Sequence, residues 1–316
     1  MDHLLGLEVA SASGRVEELR NGALSWLMIE RPGTAELMML EQRFGFHPLD
    51  LEDLVSKTER PKIDARPGYV FVVLHFPVMA GRPRRLAAGE LHIFLGNDYL
   101  VTVHDGDLRP PVRLFEELKA DPSRRATFMA TPGRLLYEVI MGLIEASRPW
   151  VDRLPGAVDS LQAEIFAESD QEPVRRMAML RRELIQLRRM IRPDAAVIDL
   201  LRTREWVSAP ELALYWGNAR DQIAWLSDYL DDVSATLEAL SHSYDQLANQ
   251  RTNKVMRLLT AISTIMLPLA VISGIYGMNI RGLPFSESEW AFEATLGMML
   301  VVAVGLLILF RRRRWL

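Results

Sequence analysis

The spacing of apolar residues changes character along the chain. In the first part they come in short runs rich in β-branched and aromatic side chains, bounded by Gly, Pro or Asn: Leu24–Ile29, Tyr69–Val78 and Leu91–Val103. Such runs predict strands. The third contains Gly96-Asn97-Asp98, a hairpin-type turn, so it divides into two antiparallel strands. Between the runs, Thr34–Phe44 and His47–Val55 carry Leu, Met and Phe at helical spacing, with Thr34 and Glu36–Leu37 as the N-cap signal.

From Thr131 the period becomes helical almost throughout. Thr131-Pro132 is a cap followed by a first-turn proline, opening a helix to about Glu168 that Pro149 and Pro155 are expected to kink. A second helix runs from Glu172 to Arg204 and is expected to break at Pro193. Glu211 to Leu267 holds no proline and only Gly217 as a weak point. At 1.5 Å per residue that is roughly 85 Å if unbroken, too long for one compact domain.

Two stretches are apolar on every side. Leu258–Tyr276 has nineteen residues without a charge, and Thr295–Phe310 lengthens to about twenty with Ala291–Ala294. A bilayer core of ~30 Å takes about twenty helical residues. Both therefore predict membrane spans, and lipid permits only helices there because an unpaired amide costs several kcal/mol. Arg251, Lys254 and Arg257 precede the first span, and Arg311, Arg312, Arg313 and Arg314 close the second. The connecting loop sets Arg281 against Glu287 and Glu289. The positive-inside rule then places both chain ends in the cytoplasm and the loop outside. Met1–Ala10 has neither the basic nor the apolar region of a signal peptide. The expected location is the inner (plasma) membrane, spanned twice.

Composition narrows the chemistry. The 37 Lys+Arg against 41 Asp+Glu give a net charge of −4, so no global basic field calls for nucleic acid. With no cysteine there is no disulfide, thiolate metal site or cysteine nucleophile. The histidines His3, His47, His75, His92, His104 and His242 form no i, i+4 pair. No nucleotide-binding glycine loop and no Gly-x-Ser-x-Gly elbow occurs, so no enzyme, nucleotide or cofactor is expected. Arg175, Arg176, Arg181, Arg182, Arg188, Arg189 and Arg192 make one helix basic, while Asp159, Glu164, Glu168, Asp170 and Glu172 make the preceding turns acidic. Complementary helix faces are the favoured reading over a partner-binding patch.

One stripe on the first span stands apart. Asn253, Met256, Thr260, Ser263, Leu267, Ala270 and Gly274 recur at spacings of three and four and so share a helix face. The other faces carry Leu258, Ile262, Ile265, Met266, Leu269 and Ile272. A stripe of small and weakly polar residues is turned away from lipid, either into tight helix packing or onto a pore, and the pattern alone leaves both open. It holds no carboxylate, which argues against a proton relay and against binding a bare divalent ion. Amide, hydroxyl and carbonyl oxygens suit the hydration shell that magnesium gives up reluctantly. Met256 and Leu267 would be apolar constrictions.

Tyr276-Gly277-Met278-Asn279 follows the span, and Gly-Met-Asn closing the first of two C-terminal spans resembles the signature of the CorA family of magnesium and cobalt transporters. Asn253–Thr260, Met266–Pro268, Gly274–Asn279, the basic tail ending Trp315-Leu316, and Phe44–Leu54 with Arg60-Pro61-Lys62 are similar to that family too. The resemblance implies an α+β cytoplasmic domain, very long helices and a two-helix transmembrane hairpin, assembled as a funnel-shaped homopentamer. The corresponding boundaries are 1–130 for the α/β domain, 131–254 for the stalk helices, 255–276 for the pore-lining span, 277–290 for the outer loop, 291–310 for the second span and 311–316 for the tail. It also implies Gly277, Met278 and Asn279 as a selectivity filter at the outer mouth, Gly277 allowing a tight exit from the helix. Asn253 would mark the cytoplasmic pore end. Partners would be further copies of the chain, divalent cations and the bilayer, with magnesium as transported and regulatory ion.

Two departures bear on mechanism. Family members sense magnesium through carboxylates at subunit boundaries, yet the segment after Tyr69–Val78 reads Met79-Ala80-Gly81-Arg82-Pro83-Arg84-Arg85. Asp221, Asp228 and Asp232 share a face of the long helix and are candidates for a regulatory or concentrating site, a solvated face being the alternative. The outer loop, Ile280–Phe285, is reminiscent of the ZntB zinc-transporter branch, while Glu287 and Glu289 would draw cations to the mouth. Three functions follow: a passive channel for magnesium and also cobalt or nickel; a proton-coupled zinc transporter; or a membrane-anchored helical scaffold.

Overall fold

A computed structural model of the chain describes residues 14–56, 60–81, 85–167, 173–203, 210–278 and 290–313. It divides into two compact units, Met1–Glu238 and Ala239–Leu316.

The first unit is built on a six-stranded sheet in the order β1-β2-β6-β5-β4-β3. The strands are β1 (Arg15–Asn21), β2 (Leu24–Glu30), β3 (Lys62–Arg66), β4 (Tyr69–Ala80), β5 (Arg85–Leu95) and β6 (Tyr99–His104). All neighbours are antiparallel except β2 and β6, which run parallel. The predicted hairpin is β5–β6, with Leu95 opposite Leu100 across the Gly-Asn-Asp turn. Gly96 is required there because a Cβ would fall 2.4 Å from ring atoms of Tyr99. Strands β1 and β3 were not predicted. Arg15–Asn21 carries five polar residues and Lys62–Arg66 three charged ones, so neither has an apolar run to announce it. Both lie at the sheet's edges, where charged strands discourage further pairing.

The central strands are buried on both faces, which explains why they read as continuous apolar runs. On one face α1 (Thr34–Phe44) and α2 (Pro48–Glu52) place Leu37, Leu40, Leu51 and the adjoining Phe46 against Leu27, Phe71, Val73, Phe94 and Val101. On the other, α3 (Arg109–Ala120) sets Phe115 edge-on to Trp26, whose indole N–H donates to Thr102 Oγ1 at 3.0 Å. Helix α1 has the predicted bounds, but its N-cap is Gly33 and the Glu36 carboxylate accepts the Gly33 N–H at 2.8 Å. Helix α2 is shorter than the expected His47–Val55, because past Glu52 the chain turns. Helices α3 and α4 (Pro122–Phe128) were also missed.

Helix α5 (Pro132–Phe166) is capped by Thr131 Oγ1, which accepts the Arg134 N–H at 3.1 Å, and holds Pro149 and Pro155 inside it. Helix α6 (Pro173–Arg202) runs through Pro193 without the expected break, since packing on β3, β4 and β5 holds the turn together. After the 3₁₀ turn Pro210–Leu212, α7 (Ala213–Tyr276) begins as a third long helix. Leu212 of that turn and the α7 residues Trp216, Ala219, Ile223, Leu226, Leu230, Val233 and Leu237 are buried at alternating spacings of four and three, a heptad seam. On the basic helix, Arg176 pairs with Glu164 of α5 and Arg188 with Asp231 of α7 at 2.6 Å, while its Glu183 receives Arg153 of α5, so α6 is tied to both neighbours by ion pairs.

The second unit holds the later part of α7 and α8 (Ala291–Arg312), and both helices are long and apolar enough to cross a membrane.

Candidate functional site

The second unit shows where the stripe points. On α7, Ala261 is buried and Ile265, Pro268, Leu269, Ile272 and Tyr276 are half-buried. Their spacing places all six on one helix face. On α8, Ala294, Thr295, Met299, Val302, Ala303, Leu306 and Phe310 are likewise the shielded residues and share a face. Within this unit the two helices are the described elements able to shield each other, so these faces are the ones they turn together. Asn253, Met256, Thr260, Ser263, Leu267, Ala270 and Gly274 lie on the opposite side of α7, and every one is exposed. Packing within the hairpin is therefore not what the small residues serve. A site for packing by α8 would have used them, because small side chains let two backbones approach.

The Thr260 hydroxyl on this face is oriented by the helix itself. Thr260 Oγ1 donates to the Met256 carbonyl at 2.8 Å, one turn back. Its single proton is thus spent inward, and the lone pairs that remain face outward. Waters around a cation point their protons away from the ion, so what meets a hydrated cation must accept. Thr260 Oγ1 and the Asn253 amide oxygen have that character, and no acidic or basic side chain interrupts the face from Asn253 to Gly274. Met256 is 56% and Leu267 68% exposed, large enough and apolar enough to narrow a passage.

At the end of α7 the Gly277 N–H donates to the Ser273 carbonyl at 2.9 Å and Met278 N–H to Ile275 at 3.2 Å. Gly277 is not in the left-handed region, contrary to the expected use of its conformational freedom. A Cβ there would stand 3.1 Å from the Ser273 carbonyl oxygen, so the position is tight for a side chain. Asn279, the loop with Glu287 and Glu289, the basic segment at Arg82 and Arg84, the acidic Glu168, Asp170 and Glu172, and the tail from Arg314 lie outside the described residues. Arg311, Arg312 and Arg313 are exposed at the end of α8.

In the first unit Asp221, Asp228 and Asp232 are all exposed on α7, away from the heptad seam. The Asp221 side chain is 76% exposed, with Arg220 Nη1 3.6 Å away. Among the described residues, no group of three His, Asp or Glu within this one chain is arranged to hold a metal ion. The neighbouring Asp231 belongs instead to the ion pair with Arg188. The heptad seam that turns these aspartates outward does not stand out among the apolar runs, although its four-three spacing can be counted in the sequence.

Residues 21–312 match the family described as CorA-like Mg2+ transporter protein. The chain is 29% identical over 280 residues to the cobalt/magnesium transport protein CorA of Thermotoga maritima, covering 86% of this chain and 78% of that one. It is 27% identical over 187 residues to the zinc transport protein ZntB of Yersinia enterocolitica, covering 58% of this chain and 56% of that one. Its fold matches the complete structure of the CorA magnesium transporter from Methanocaldococcus jannaschii with a TM-score of 0.81 at 21% identity, over 98% of this chain and 95% of that one. A match that begins at the first turn of the sheet and ends in the last turn of α8 takes in both units, so the chain belongs to the CorA-like family of divalent metal ion transporters.

Proposed function

We propose that this protein is a passive conduit for a hydrated divalent cation, magnesium first and cobalt or nickel with it, formed by a homopentamer in the inner (plasma) membrane. Two spans per chain cannot enclose a water-filled path, so several copies must contribute one α7 each. The observation that carries this reading is the uncharged, acceptor-bearing face of α7 turned away from α8. Five such faces around an axis make a wet wall without a fixed charge. Asn279 would then stand in a ring at the outer mouth, its amide oxygen meeting the hydration shell, with Gly277 and Met278 holding the turn. The Glu287 and Glu289 carboxylates would raise the local cation concentration by their field. Both chain ends are cytoplasmic on this reading, and Asp221, Asp228 and Asp232 are exposed where a second copy would complete a regulatory magnesium site.

The test is ion-resolved flux into proteoliposomes comparing magnesium, cobalt, nickel and zinc, with and without a pH gradient. Magnesium entry without nucleotide or proton gradient is expected. Asn279→Ala should abolish selective uptake, and normal uptake by that variant would count heavily against the filter. The second reading, proton-coupled zinc transport, draws on the Gly282-Leu283-Pro284 turn and the ZntB relative. It predicts zinc entry that grows with an imposed proton gradient, although the stripe offers no titratable group to carry the proton.

A further inference from the structure

Asp194 is fully buried in the middle of α6 and is the one ionisable side chain among that helix's buried residues. Its Oδ1 accepts the backbone N–H of His75 at 3.1 Å, while Oδ2 has no hydrogen-bond partner among the described residues. The place is an open strand edge. Strand β3 pairs with β4 only as far as Lys62 opposite Val73, whereas β5 follows β4 to Ala80. Beyond Val73 the outer side of β4 has no strand among the described residues, and the side chain of Asp194 supplies an acceptor there. The residue before it is Pro193, which lacks an N–H and so leaves the Arg189 carbonyl without its helical donor. The helix is weakest at the turn where it is fastened.

We propose that Asp194 is a proton-controlled latch: with its carboxyl neutral, the middle of α6 stays seated on the open edge of β4, and when it ionises α6 lets go at the Pro193 turn. An ionised carboxylate with one hydrogen bond and no cation cannot remain in a dry site, because water solvates it far better. Burial accordingly pushes the Asp194 carboxyl well above the ordinary carboxylate range, the His75 N–H opposing only in part. Among the described residues, no other element packed here compensates it. The nearby ionisable groups of the sheet are His75 on β4, Glu90 and His92 on β5, and Lys62 on β3. His75 Nε2 and His92 Nε2 look toward Glu90, at 4.0 and 3.7 Å, and Lys62 is engaged by Asp53 and Asp64. Burial lowers His75, and burial followed by the His75 charge lowers His92 to about 4, so both imidazoles are neutral near pH 7. The buried residues of α5 include one ionisable group, Tyr137, which accepts from Asn218, and the buried seam of α7 has none. On α6 itself Arg192 is exposed, and Arg188 is held by Asp231 and Ser234 of α7. Release at Asp194 would therefore loosen the segment that ties the sheet to α7.

The sign follows from the raised value. The seated state is fully favoured below the ordinary carboxylate range, loses tenfold per pH unit as pH rises from that range toward the raised value of the buried carboxyl, and levels off above it. The experiment is hydrogen exchange on the full-length protein in lipid discs from about pH 6 to about pH 9, corrected for intrinsic exchange, for wild type and Asp194→Asn. The amide keeps the acceptor for the His75 N–H and removes the ionisation. Protection of α6 around Pro193 and of β4 around His75 should fall with pH in wild type and stay level in Asp194→Asn. Equal pH slopes in the two proteins would overturn the proposal. Infrared spectra of wild type minus Asp194→Leu supply a second readout independent of the asparagine variant. A neutral-acid carbonyl band at pH 7 is expected, and an ionised carboxylate there would equally overturn it.

Discussion

Asp50 shows how a single charge is made tolerable in this core. It is fully buried on α2, and its two oxygens accept from Arg66 Nε at 3.0 Å, Arg66 Nη2 at 2.7 Å and the Tyr69 hydroxyl at 2.7 Å. Tyr69 in turn accepts the His47 N–H at 2.9 Å, so the N-cap residue of α2 is fastened to the start of β4. Burial pushes the Asp50 carboxyl up, but the hydrogen bonds from Arg66 and Tyr69 outweigh it and hold it below the ordinary range. Arg66→Ala should destabilise the first unit by roughly 3 kcal/mol, the low end for breaking a buried pair because Arg66 is itself 30% exposed. Chemical denaturation of the two proteins measures it. A depressed carboxylate stabilises fully above its unfolded value and loses that contribution as pH falls through its folded value. Asp50→Asn should therefore flatten the acid side of the stability profile below about pH 4. None of this network was legible from the sequence, where Asp50, Arg66 and Tyr69 are unrelated polar residues on three different elements.

Among the elements, the strands that were legible are those buried on both faces, because only they need uninterrupted Val, Leu, Ile and Phe. The charged edge strands β1 and β3 carry no such signature, and their pairing is set by neighbours. Prolines mislead in a specific way: Pro193 removes one hydrogen bond, yet α6 packs on the sheet and carries buried apolar residues on both sides of that turn, so the helix continues. The heptad seam of α7 was legible but hidden, since the polar residues between its members hide the spacing from a count of apolar runs. Phe46 joins helix layer to sheet, stacking on Phe94 with ring centroids 4.0 Å apart and tilting against Tyr69 at 4.9 Å. It follows Gly45, whose left-handed conformation (φ 66°) ends α1 and turns the chain inward. Phe46→Ala should cost about 3–5 kcal/mol in a thermal or denaturant unfolding experiment. A loss below ~1 kcal/mol would mean that the ring is not the link between these layers.

For the whole molecule, two membrane helices and their polar stripe were readable because lipid allows so few solutions. What the stripe faces was not readable, since packing and pore lining use the same small residues. The shielded faces of α7 and α8 remove packing within the hairpin, leaving the stripe to other copies or to water. Ser263→Leu should reduce cation flux at least tenfold if the face borders water in a narrow passage, and leave it unchanged in a scaffold. Orientation is checked separately by labelling the tail and the outer loop from either side of a sealed vesicle.

The absence of any cysteine makes the central claim directly measurable. Single cysteines placed by Thr260→Cys, Ser263→Cys, Ala270→Cys and Gly274→Cys, and on the opposite face by Ile265→Cys, Leu269→Cys and Ile272→Cys, can be treated with a charged, membrane-impermeant thiol reagent during magnesium flux into proteoliposomes. The pore account predicts reaction and block at the first four and silence at the last three. Reaction on the Ile265–Ile272 face, or none on the Thr260–Gly274 face, would contradict it.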